Sequence, residues 1–206
     1  MSLTTAHVSM SLDGFIAGPD QSIDNPLGVG GLRLHTWHLA DVSEQHPVDA
    51  EMTRKLLRPR GAVLMGRNMF GPIRGEWGAD GLTWNGWWGE DPPYHAPVVV
   101  LTHHEREPVE MAGGTTFHFV TDGFESGLSR ARELGDGDVH IAGGASTVRQ
   151  ALEAGEVDEV TLDIAPVTLG AGERIFPAGA VDLGWEPVEV LASPYATHVR
   201  YRIPRP

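Results

Sequence analysis

The chain has 206 residues, no cysteine, 15 Lys and Arg against 28 Asp and Glu, and a formal net charge of −13. That length can bury one core without disulfide or metal staples, and it fits one domain over 1–206 better than two. The absent cysteines exclude disulfides, thiolate zinc sites, iron–sulfur clusters and thiol nucleophiles. An acidic balance argues against a nucleic acid or an anionic membrane as partner, while leaving room for a local cationic pocket.

No basic n-region precedes the first strand, so a cytoplasmic location is expected. Residues 6–12 alternate at period two and are turned by Asp13-Gly14. The stretch 18–47, rich in Gly, Asp, His and Pro, reads as a long loop; 48–58 reads as a helix stopped by Pro59 and Gly61. A short apolar run at 62–65 suits a buried strand. A second long loop, 71–97, holds Trp77, Trp84, Trp87 and Trp88, which argues for an ordered, functional loop. Strands follow at 98–101 and 116–120, a helix at 123–134 and a strand at 139–142. Gly143-Gly144 opens a helix over 145–154, and a strand occupies 159–165. Two last strands, 185–191 and 197–203, lie at hairpin distance. This alternation predicts an α/β fold, a three-layer α/β/α arrangement with a mixed, mostly parallel sheet and a C-terminal antiparallel hairpin. In such sheets ligands bind beyond the carboxyl ends of the strands.

Three strand ends carry suitable chemistry. At Gly143-Gly144-Ala145-Ser146-Thr147, paired glycines precede a helix N-terminus, where backbone N–H groups can meet a phosphate. The same residues read equally well as a tight turn. At Gly66-Arg67-Asn68 a strand-end glycine is followed by a guanidinium suited to phosphate oxygens. At Thr102-His103-His104 a hydroxyl and two imidazoles follow an apolar strand.

Taken in order, strand–Gly-Arg, strand–Thr-His and strand–Gly-Gly–helix resemble the dihydrofolate-reductase-like superfamily over nearly the whole chain. The opening Ser11-Leu12-Asp13-Gly14 and the segment from Asp158-Glu159 to Pro166-Val167-Thr168-Leu169-Gly170-Ala171-Gly172 resemble its riboflavin-biosynthesis branch, the reductase domain of the bifunctional deaminase–reductase. The resemblance implies NADPH bound in an extended groove, with NADH as the weaker candidate. Gly66, Arg67 and Asn68 would meet the cofactor phosphates. Thr102, His103 and His104 would lie beside the 2′-phosphate. Gly143, Gly144, Ala145, Ser146 and Thr147 would cradle the pyrophosphate, and Ser9, Ile16 and Ala17 would line the nicotinamide pocket. A homodimer is expected on the same ground.

Two departures stand out. Met69 replaces the usual threonine after Gly-Arg-x, and Thr121-Asp122 replaces an expected basic residue, which disfavours a 2′-phosphate. Asp49 and Glu51 lie in the helix that supplies the proton-donating carboxylate in dihydrofolate reductase, at no clean equivalent position.

Hydride chemistry belongs to the cofactor, so the protein must align two reactants and manage one proton. Asp163 is the candidate for the proton: it shares a strand face with Thr161 and Ala165, where a carboxylate needs a partner or a cleft. Asp13, Trp77, Trp87 and Trp88 are candidate contacts to a small heterocyclic substrate; Asp13 serves equally as a turn former, and the tryptophans as a lid or interface. No metal site is expected, because the histidines lack ligand spacing. The competing class is a non-catalytic member of the fold that binds a nucleotide or regulates.

Overall fold

In a computed structural model, which describes residues 2–41, 43–71, 74–78, 84–176, 179–180 and 182–204, the core is one nine-stranded sheet. The elements run β1 (Thr4–Ser11), α1 (Pro47–Leu56), β2 (Ala62–Gly66), α2 (Arg67–Phe70), β3 (Pro97–Leu101), β4 (Val109–Glu110), β5 (Thr116–Val120), α3 (Phe124–Leu134), β6 (Val139–Gly143), α4 (Ala145–Glu153), β7 (Glu159–Ala165), β8 (Glu186–Ala192) and β9 (Thr197–Arg202). A short 3-10 turn at Gly31–His35 lies inside the first long loop.

Strand order is β4-β5-β3-β2-β6-β1-β7-β9-β8. From β5 to β7 all pairings are parallel, and β9 and β8 add the expected antiparallel hairpin beyond β7. The two-residue β4, antiparallel at the other edge, is not foreseen by the alternation; two residues carry too little pattern to read. Nor is the single turn of α2, which starts at Arg67 itself.

Strand alternation divides the core in two. On one face α3 and α4 cover Ala6, Val8, Leu64, Val99 and Ile141. On the other, α2 and the tryptophan loop cover Val63, Met65, Val98, Val100 and Phe117. Beside that second cluster, α1 and Trp37 cover the polar stretch of β1, β7 and β9. No helix among the described residues is long and apolar enough to cross a membrane.

Candidate functional site

The strand ends of β2 and β6 meet. A Cβ on Gly66 would lie 2.6 Å from Thr147 Oγ1 and 3.7 Å from Gly144 N, so only glycine lets α4 start this close to β2. Gly143 holds φ +132 and the Gly143–Gly144 peptide is cis. Gly144 itself has φ −77, and a Cβ built there meets nothing within 4 Å. This strand end therefore opens onto free space. The first intrahelical bond of α4 runs from Val148 N to Gly144 O at 3.1 Å, which leaves the N–H groups of Ala145, Ser146 and Thr147 at the positive end of the helix. Ser146 is exposed at that opening, whereas Thr147 is buried against Gly66.

Arg67 follows Gly66, the residue that packs on this turn, and the next residue, Asn68, is exposed. Its guanidinium carbon stands 3.1 Å from the Trp77 ring centroid, and that of Arg106 stands 4.7 Å from the same ring. Burial, then the charges of Arg106 and Arg74, bring Arg67 down to about 10, still charged at neutral pH. Three guanidiniums thus gather at one strand end of a chain carrying −13 overall. An open backbone turn, and a guanidinium cluster that includes the residue following Gly66, are each suited to a phosphorylated ligand.

Beyond β3 and β5 lies a cavity of about 540 Å³ lined by Glu105, Arg106, Glu107, Phe119, Thr121 and Asp122. Thr102 is not among its lining residues but is tied to Val120, which is. Its amide bonds Val120 O at 3.0 Å, and its hydroxyl accepts from His104 N at 3.2 Å. His104 Nδ1 faces Glu76 Oε1 at 3.2 Å, and His103 is exposed.

The tryptophans divide. Trp77 donates to His104 O at 2.9 Å and meets Phe119 edge-on at 5.0 Å, so it pins the loop to the sheet. Trp87 packs edge-on against Trp84 at 4.6 Å, and Trp88 is exposed. Within the 71–97 loop, residues 72–73 and 79–83 lie outside the described residues.

At the far end, Ile16 N bonds Glu173 O at 2.8 Å and Ala17 bridges Glu173, fixing the segment after β1. Asp13 places both oxygens on the Leu169 and Gly170 amides, at 2.7–3.2 Å. The Ser11 hydroxyl and these amides hold its carboxyl down at about 2. Both oxygens are thus spent on a turn 156–157 positions away rather than on the Asp13-Gly14 turn itself.

Behind Ser9 is a buried polar chain of which sequence reasoning singled out Asp163 and, separately, the α1 carboxylate Asp49, without joining them. His7 Nε2 lies 2.7 Å from Asp163 Oδ2; His198 Nδ1 lies 2.7 Å from Asp163 Oδ1; His198 Nε2 lies 2.9 Å from Asp49 Oδ1. Residue exposures are 8% for His7, 1% for Asp163 and His198, and 0% for Asp49. Trp37 roofs the chain, its ring 5.0 Å from His198 and its N–H donating to Ser9 Oγ at 3.0 Å. Burial raises the Asp163 carboxyl, but His7 and His198 outweigh it and hold it below the usual value. Burial opposes charge on His198 as well, yet its two carboxylates raise it above the usual imidazole value. Asp49 Oδ2 is buried with no hydrogen-bond partner among the described residues. Among the described residues, both Asp163 side-chain oxygens thus bond imidazoles. The legible signal was the alternation that puts His7 and Ser9 on one face of β1; that His198 and Asp49 would join them was not legible.

A family model, the RibD C-terminal domain, matches residues 3–199. The chain belongs to the RibD C-terminal domain family. Among solved structures, a putative riboflavin biosynthesis protein from Shewanella sp. PV-4 is similar with a TM-score of 0.65 at 20% identity, each chain covered in full. The deaminase/5-amino-6-(5-phosphoribosylamino)uracil reductase of Thermotoga maritima is similar at 0.58 and 16% identity, over 98% of this chain and 56% of that one. A dihydrofolate reductase from Enterococcus faecalis, complexed with NADP(H) and RAB-propyl, is similar at 0.55 and 17% identity, over 97% and 95%. No curated protein sequence matches the chain. The resemblance to the RibD branch and the α/β fold with its antiparallel hairpin both hold.

Proposed function

We propose that this RibD-type domain is an NADPH-dependent reductase acting on a small heterocyclic substrate, in the cytoplasm and as a homodimer. The observation that carries the reading is the open Gly143–Gly144 turn at the start of α4, set beside Arg67. Gly143, Gly144, Ala145, Ser146 and Thr147 would hold the pyrophosphate through N–H groups and the helix dipole. Gly66 allows that approach; Arg67 and Asn68 would meet phosphate oxygens, with Thr102 and His103 at the adenosine end. Ser9, Ile16 and Ala17 would border the nicotinamide ring. When bound, the cofactor supplies a hydride. The chain's own task is then to align the acceptor and manage one proton, for which Asp163 acts as a positioning residue through His7 and His198. Trp88 is the exposed aromatic left for substrate or a second copy of the chain.

The test is binding. NADPH at about 100 times its dissociation constant adds roughly 2.7 kcal/mol of stability, which a thermal melt reads directly. Absence of any rise with millimolar NADPH, NADP or NADH favours the non-catalytic reading.

Cofactor preference tests the adenosine end. His104 is matched by Glu76, so the exposed His103 is the ring left to face a 2′-phosphate. Arg67 keeps a fixed charge and sets the floor. The NADPH-over-NADH affinity ratio is expected to fall in a His103→Ala/His104→Ala variant, and an unchanged ratio places both rings outside the site.

A further inference from the structure

The three hydrogen bonds of the buried chain, His7–Asp163, Asp163–His198 and His198–Asp49, need three protons. Two neutral imidazoles between two ionised carboxylates supply only two. Asp163 has both oxygens occupied as acceptors, and His198 has a carboxylate oxygen at each ring nitrogen. One additional proton is therefore shared between His198 and Asp49, and the four groups together carry a net charge of one minus. His35 faces the chain from the end of the 3-10 turn, His38 from the residues after it, and His140 from β6. Burial holds His35 down at about 4 and lowers His38 and His140, so these three rings add no positive charge at neutral pH.

The position of this store relative to the candidate cofactor groove follows from register. Asp163 is the β7 partner of Ser9, and Ala6 is the β1 partner of Ile141. Gly143 ends β6, the strand on the other side of β1 from β7. The glycine turn, Ser9 and Asp163 thus belong to three adjacent strands, the outer two about 10 Å apart at the usual strand spacing. Trp37 ties the layers together by donating to Ser9 while packing on His198.

We infer that the Asp49–His198–Asp163–His7 chain is the proton store of the reductase, holding its extra proton against a neutral nicotinamide ring at Ser9 and releasing it against an oxidised, positively charged one. The inference rests on the cofactor reading above. On release the proton leaves the His198–Asp49 bond for solvent, and His198 remains neutral with one N–H between two carboxylates. In turnover the same proton would go to the acceptor atom as the hydride goes to its neighbour, and one proton taken up from bulk solvent would refill the His198–Asp49 bond. A unit charge about 10 Å away, in surroundings of effective dielectric about 20, shifts a proton equilibrium roughly tenfold.

Isothermal titration of the whole protein with NADP and with NADPH, near pH 7.5 in phosphate, HEPES and Tris, counts the protons exchanged in each binding event. The expected result is that NADP binding releases on the order of half a proton per site more than NADPH binding. Ionisation of the 2′-phosphate and of surface histidines is common to both titrations and cancels in the difference. Asp49→Asn should erase the difference while retaining cofactor binding. An amide N–H can donate to a neutral His198 Nε2, so all three bonds survive without the additional proton. Equal proton counts for the two cofactors in the wild-type protein, or a difference that persists in Asp49→Asn, overturn the proposal while leaving the reductase reading intact. No binding heat from either cofactor overturns both.

Discussion

Asp163→Ala is expected to lower the free energy of unfolding by about 3–5 kcal/mol, measured by urea denaturation at pH 6. The variant removes the acceptor for both His7 and His198 and leaves Asp49 and His198 buried without the second carboxylate. Asp163→Asn should cost far less, since an amide can accept from one imidazole and donate to the other tautomer of its neighbour. The two variants together separate lost hydrogen bonding from lost charge. The pH dependence has a fixed sign. His198 is raised above 6.5, so its contribution is complete below that value and is lost as pH rises through the folded-state value. Asp163 is lowered below 3.8, so its contribution is complete above that value and is lost as pH falls. The contribution of the pair is therefore largest between pH 3.8 and 6.5, and Asp163→Ala should flatten the stability profile on both sides of that window.

Gly144→Val should leave a folded protein that has lost NADPH binding by a factor of about 100 or more, roughly 2.7 kcal/mol. The backbone at Gly144 has φ −77, which valine adopts, and a Cβ there meets nothing within 4 Å. The positive φ of the turn falls on Gly143. A branched side chain at 144 would therefore stand in the open space before α4, where the N–H groups of Ala145, Ser146 and Thr147 begin. Unchanged NADPH affinity by fluorescence titration, in a variant with wild-type melting behaviour, would show that the ligand lies elsewhere.

Much of this architecture was legible because it is local. The period-two run of β1, the apolar runs of β2 and β3, and glycine before α4 each depend on residues a few positions apart. The glycine–arginine and glycine–glycine strand ends could be recognised for the same reason, and the structure brings Gly66 and Thr147 into contact as their order implies. Asp163 stood out as a carboxylate on a strand face that had to be partnered.

What no local pattern contains is the partner itself. Asp49 and His198 are 149 positions apart, and Lys55 and Glu189 are 134 apart. Arg106 reaches Trp77 across a loop whose course follows from packing rather than from propensity. The sequence alone determined the strands, the helices, the glycine turns and the need to satisfy a buried acid at position 163. Tertiary structure decided how that need is met, because α1, β9 and β1 must all close on β7 before two carboxylates and two imidazoles can share their protons. Below the cost of leaving any one of them unpaired, that closure has a single arrangement, and only the folded chain reveals it.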